Sequence, residues 1–171
     1  MTRIGQQFPH VHVSAFIKGS LAYFDFAACR GRWVTFCCVP SLGLVEVTIL
    51  DRQARAFAQE GALLLAFSPN AKLFHSPWFG QIPSLELILL ADPLLRFHDA
   101  LGITVPKEHS RCRSFLIDPD GILRFDLTHD LNGRGMSALK EMLIAHQGQE
   151  TPPHDKLNSS ITKGALTICN E

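Results

Sequence analysis

The stretch from Trp33 to Phe67 restricts the fold more than any other part of the chain, because it spells strand, helix and strand in succession. WVTFCCV, Trp33 to Val39, is short, apolar and rich in β-branched and aromatic residues, the composition of a buried strand. Beyond Pro40, the residues Leu44, Val47, Leu50, Ala54 and Phe57 recur at three- and four-residue spacing, which aligns them along one helix face. Gly61 then closes the segment, as glycine closes many helix C-termini. ALLLAF, Ala62 to Phe67, is a second buried strand. This alternation predicts an α/β layer architecture, a central sheet flanked by helices.

The remaining segments fit the same plan. LELILLA, Leu85 to Ala91, reads as a third strand, and DPLLRFHDALG as a short helix with Asp92 at its N-cap, Pro93 in its first turn and Gly102 after its end. RSFLIDPDGILRFDLTH is two strand-like runs around the turn residues DPDG, the clearest hairpin in the chain. GMSALKEMLIAHQ is a final amphipathic helix with Met136, Leu139, Leu143 and Ile144 on one side. A chain of 171 residues with 46% hydrophobic content fills one good core, so one domain is expected over 1–147. Residues 148–171 are polar and weakly periodic and read as a C-terminal arm or tail.

Charge narrows the function classes. Lys and Arg together number 16, as do Asp and Glu, so there is no footprint for nucleic acid or an anionic membrane. Near-neutral charge favours self-association instead. The N-terminal stretch lacks an apolar h-region and no eighteen apolar residues run together, so a soluble cytoplasmic protein is expected. The five cysteines, Cys29, Cys37, Cys38, Cys112 and Cys169, are odd in number and irregularly spaced, which argues against a disulfide framework.

The order of IGQQFPH, RGRWVTFCCVP, FSPNAKLFHSPW, LLADP, FLIDPDGILR and HDLNGRG, followed by a last helix, resembles the peroxiredoxins of the alkyl hydroperoxide reductase C/thiol-specific antioxidant family, most closely their typical two-cysteine class. The likeness runs over roughly residues 3 to 152 and implies a thioredoxin-like fold in its peroxiredoxin variant, with a central mixed sheet. It also implies a chemical site, and there this chain departs from the pattern. The family places a hydroxyl four residues after the strand-ending proline and the peroxidatic cysteine seven after it, in a helix's first turn where N–H groups and an arginine stabilise the thiolate. Counted from Pro40, those positions are Leu44 and Val47, and a one-residue slide puts Glu46 in the nucleophile's place. The activating arginine's position is Cys112, between Arg111 and Arg113, and the resolving cysteine's region reads Glu150, Thr151, Pro152. Pro40, Leu44, Glu46, Val47, Cys112 and Arg134 therefore outline a vestigial pocket, in a degenerate thiol peroxidase without catalytic residues. Arg134 matches a family arginine that pairs with a glutamate, which makes a Glu46–Arg134 ion pair the expectation. His75 and Trp78 match a structural motif.

Three functions follow from these residues. The leading one is a scaffold, subunit or protein-binding partner that self-pairs through the strand 122–129, as the resemblance implies, and forms dimers or rings. Its apolar loop, Pro40 to Val47, would face another protein. The alternative is an atypical thiol peroxidase or redox sensor using Cys112, its pKa lowered by the neighbouring arginines, with Cys38 or Cys169 as partner. The third is a small-molecule binder using the vacated apolar pocket of Pro40, Leu44, Val47 and Trp78. Cys37 and Cys38, adjacent on a strand, face opposite sides and fill core. His10 and His12 share a spacing that suits a metal but have no third ligand nearby in sequence, so neither a metal nor a cofactor is expected.

Overall fold

A computed structural model of the chain describes residues 3–10, 12–68, 85–91, 96–102, 111–131 and 134–148. The described strands are β1 (His12–Ile17), β2 (Ser20–Asp25), β3 (Trp33–Cys38), β4 (Ala62–Ser68), β5 (Ile88–Ala91), β6 (Arg111–Ile117) and β7 (Leu123–Asp130). The helices are α1 (Leu44–Gln59), α2 (Arg96–Leu101) and α3 (Arg134–Gln147), with a 3-10 turn over Phe26–Cys29. The strands form one seven-stranded mixed sheet in the order β2-β1-β5-β4-β3-β6-β7. Parallel pairing joins β3 to β4 and β4 to β5, and every other neighbouring pair is antiparallel. No described helix is long and apolar enough to cross a membrane.

Alternation along the strands sorts the core into two layers. On one face Trp33 and Cys37 of β3 meet Val47, Leu50, Ala54 and Phe57 of α1 and Met136, Leu139 and Leu143 of α3. On the other, Val34, Phe36 and Cys38 meet Phe8, Phe24, Phe26, Phe67 and Phe115. The second layer is aromatic: the Phe8 and Phe26 rings lie 4.8 Å apart, and Phe36 lies 5.7 Å from Phe67. The adjacent thiols Cys37 and Cys38 thus fill opposite layers, as a strand's two-residue period requires.

The strand-helix-strand unit forms over the residues whose spacing predicts it, and Gly61 takes the left-handed φ of +72° that ends α1. Three expectations change. β5 starts only at Ile88, because the amides of Glu86 and Leu87 donate to Asp51 Oδ1 on α1, at 2.8 and 3.1 Å, and not to a strand. Leu44 and Ile144, at apolar positions of their helices, are 45% and 46% exposed. A strand is expected around His10 and His12, and β1 begins at His12, but its pairing with β2 in a hairpin has no counterpart in the sequence reading. Its two-residue turn, Lys18–Gly19, has φ of +48° and +87°, a geometry that asparagine or aspartate before glycine would advertise and lysine does not. The N-terminal part of the expected helix around Asp92 and Pro93, the FHSPW motif and the arm from 149 onward lie outside the described residues.

Candidate functional site

The described residues of the expected pocket differ in their surroundings. Val47 is fully buried and shares the helix-covered core with Cys37 and Cys112, so the position that a nucleophile would occupy is packed as core. Leu44 and Val45, by contrast, stand 45% and 66% exposed at the start of α1. Glu46 does not pair with Arg134: its Oε2 accepts from the Gly43 N–H at 2.9 Å, one half of a capping box. Arg134 opens α3 and is exposed, and among the described residues no ion pair joins it to Glu46. The helix N-terminus satisfies that carboxylate locally, which leaves the cross-loop pair unmade. Pro40, two residues beyond β3, is partly exposed. Trp78, the fourth member of the apolar pocket, lies outside the described residues.

Cys112 faces the helix-covered core, and the arginines beside it do not. Arg113 lies on the opposite face, where its Nε donates to Asp126 at 2.8 Å and its guanidinium stands 5.2 Å from the Phe115 ring centre. Arg111 is exposed and approaches Asp130 at 3.9 Å. The lowered pKa expected for Cys112 is therefore corrected. Burial pushes its thiol up to about 12, since a thiolate there would lose water without gaining a cation. Burial likewise pushes Cys29 and Cys37 up to about 12 and raises Cys38, so all four described cysteines are free, buried and protonated at neutral pH.

The structure instead gathers a polar chain that was not singled out in the sequence. Cys37 on β3 pairs in register with Ser114 on β6, and Cys112 on β6 pairs with His129 on β7. These side chains share one face, buried beneath the helix layer. His129 Nδ1 lies 2.8 Å from the Asp130 carbonyl, which can only accept, so that nitrogen carries the proton. Nε2 is then the acceptor, and Ser114 Oγ donates to it across 2.8 Å. Ser114 in turn accepts from the Cys37 thiol at 3.0 Å, and Cys112 Sγ donates to the His129 carbonyl at 3.4 Å. Gly135, in the first turn of α3, lies so close to the imidazole that a Cβ there would collide with it. Strand alternation puts Cys112 and Ser114 on one face, and hairpin register brings His129 to them. That signal was available in RCRS and LTH, but it needs the pairing register to be read.

Nucleophile, base and a group orienting the base are the parts of an activated-thiol or activated-hydroxyl site. Solvent access is missing, since Cys37, Cys112 and Ser114 have no exposed surface. With each member bonded, the chain is a satisfied buried network that fixes the register of β3, β6 and β7. His10 and His12 are both exposed, and no cluster of three or more metal-ligating side chains occurs among the described residues. A cavity on the other face, about 20 Å³ and room for one water, is lined by Gln7, Phe8, Cys29, Arg30 and Asp118 among others.

Comparison with known proteins adds the following. No protein-family model matches the chain. It is 26% identical over 162 residues to peroxiredoxin tpx1 of Schizosaccharomyces pombe, covering 85% of this chain and 82% of that protein. It is 28% identical over 133 residues to a thioredoxin peroxidase of Fasciola hepatica, covering 68% and 66%. Among solved structures, Mycobacterium bovis AhpC superposes with a TM-score of 0.70 at 20% identity, over 92% of this chain and 99% of that one.

Proposed function

Starting from a chain that is a relative of the peroxiredoxins in sequence and carries their fold, we infer that it has given up thiol peroxidase chemistry and works as a structural or binding partner. The observation that carries this reading is the burial of Val47 in the core beside Cys112. Peroxide attack needs an accessible thiolate, and the described thiols are all buried, with burial raising each. Two features support an assembly role. Among the described residues β7 is an outermost strand, an edge suited to pairing with its own copy about a two-fold axis. The exposed Leu44 and Val45 crown the loop after Pro40, where an apolar contact with another protein would be made.

The test is hydroperoxide consumption by the full-length protein supplied with a dithiol reductant, beside its Cys112→Ser variant. No turnover above the reductant alone is expected from either. Turnover by the native protein that the variant loses would overturn the reading in favour of a Cys112 peroxidase. Turnover that survives Cys112→Ser would overturn it in favour of another thiol, Cys169 among them.

A further inference from the structure

The sheet's two outer strands are finished differently. β7 carries Arg124, Asp126 and Asp130, whereas β2, SLAYFD, has no charged side chain before its last residue. The two-residue turn closes on Ile17↔Ser20, the first hydrogen-bonded pair of the hairpin, and the register runs without a bulge to His12↔Asp25. Ala22 and Phe24 therefore bond to β1, and the N–H and C=O groups of Leu21 and Tyr23 point away from it. Among the described residues no strand pairs with that outer side. The side chains of Leu21 and Tyr23 stand 56% and 55% exposed, while Ala22 and Phe24 are buried on the opposite face. A straight, uncharged edge with apolar side chains is a template for another strand, and proteins cover such edges or break them with charge.

A second copy of β2 complements this edge in one antiparallel register. With Ala22 on the two-fold axis, Leu21 exchanges both backbone hydrogen bonds with Tyr23 of the other copy. Their side chains then lie directly across from each other on the exposed face, an aliphatic–aromatic cross-strand pair formed twice. Ala22 meets its own copy where the two strands come closest, and its small side chain leaves room for that approach. The same register brings opposite charges together at both ends of the ribbon, because Asp25 comes to lie across from Gly19 and beside Lys18 of the other copy. Asp25 Oδ1 accepts from the Ala27 N–H at 2.9 Å, and its other oxygen has no bond among the described residues. Lys18 is exposed at the hairpin tip with a φ of +48° and makes no ion pair among the described residues. Neighbouring registers fit less well. Centring on Leu21 leaves Tyr23 across from the glycine of the turn, and centring on Tyr23 sets the Asp25 carboxylate against Leu21. A single strand edge covers less than the roughly 800 Å² per partner of a standard interface, so this contact fills only at high protein concentration.

We propose that β2 is a self-association edge at which two copies of the chain join antiparallel about Ala22, with Leu21 against Tyr23 and Lys18 beside Asp25. The proposal goes beyond the pairing inferred at β7 and does not rest on it. Where both edges pair, their two axes join dimers into a ring or a row. The test uses full-length chains carrying Cys169→Ser, oxidised at submillimolar concentration with a small disulfide as Leu21→Cys alone, as Tyr23→Cys alone and as an equal mixture of the two. The expected result is an interchain disulfide between positions 21 and 23 in the mixture, at a yield about fivefold or more above that of either variant alone. Equal yields in the three samples overturn the register, and the absence of a cross-link in all three overturns the edge. A second variant, Leu21→Lys with Tyr23→Lys, changes only exposed side chains. It should lower the mass measured by light scattering at the same concentration about twofold, with the thermal midpoint little changed. A mass that the two lysines leave unchanged overturns the proposal. Pairing at β7 is read separately, from the mass at micromolar concentration. A chain that is monomeric there but cross-links 21 to 23 on concentration keeps β2 and loses β7, and a dimer that never cross-links does the reverse.

Discussion

His129 is the residue on which the buried chain turns, since it accepts from Ser114 and donates to the Asp130 carbonyl. His129→Ala would leave the hydroxyl and the carbonyl without those bonds and open a void, a loss of about 2–3 kcal/mol in a denaturant titration. Gly135→Ala should be comparably damaging alone, because its Cβ collides with the imidazole. In the His129→Ala background the cost should fall only in part, because the ring is gone but the Cβ at 129, 2.5 Å from the position a Cβ at 135 would take, remains. Fully additive losses would show that the ring is not the source of the cost. The thiols set a second expectation at this scale. Cys29, Cys37 and Cys112 have folded pKa values raised by burial to about 12, against 9.0 for an ordinary thiol. The unfolded chain therefore releases protons above about pH 9 that the native chain retains, and stability falls as pH rises through that window. Between pH 8 and pH 10 the loss is about 1 kcal/mol per buried thiol. Urea midpoints at the two pH values, for the native protein and for Cys37→Ala, should show the variant less pH-sensitive, whatever its absolute stability.

Among the elements, α1 shows both the reach and the limit of sequence reading. Its extent, its buried stripe and its glycine stop follow from spacing, because a helix's period is local. The partner of Glu46 does not follow, since a carboxylate in a first turn can answer the helix's own amides before it answers a distant cation. Glu46→Ala should cost about 1 kcal/mol as a lost cap, and Arg134→Gln should fall within about 0.5 kcal/mol of neutral as an exposed change. The two should add in a double-mutant cycle read by thermal melting, and a coupling above about 1 kcal/mol would restore the ion pair. The β1–β2 hairpin was illegible for a related reason: its turn holds Lys18 at a positive φ that nothing in the residue type announces. The site residues Ser114 and His129 were hidden because only strand register makes them neighbours.

For the whole molecule, the α/β plan and the likeness to peroxiredoxins were legible because motif order survives at low overall identity. Of the proposed assembly, the sequence offers only an edge strand, since pairing partners leave no local signature. With β7 as a two-fold edge, light scattering on the full-length chain should give about twice its 19.0 kDa. A mass that stays monomeric at micromolar concentration would remove the β7 interface. The division of the core into two layers has a further consequence. Cys37 and Cys112 lie in the helix-covered layer and Cys29 and Cys38 in the aromatic one, so each layer contains its own pair of thiols. Whichever layer opens first in a partial unfolding event releases two thiols together. In an oxidising medium such a pair can cross-link before the layer closes. Unfolding that is reversible under reduction then becomes a ratchet, and the cross-link left behind records which half of the core gave way.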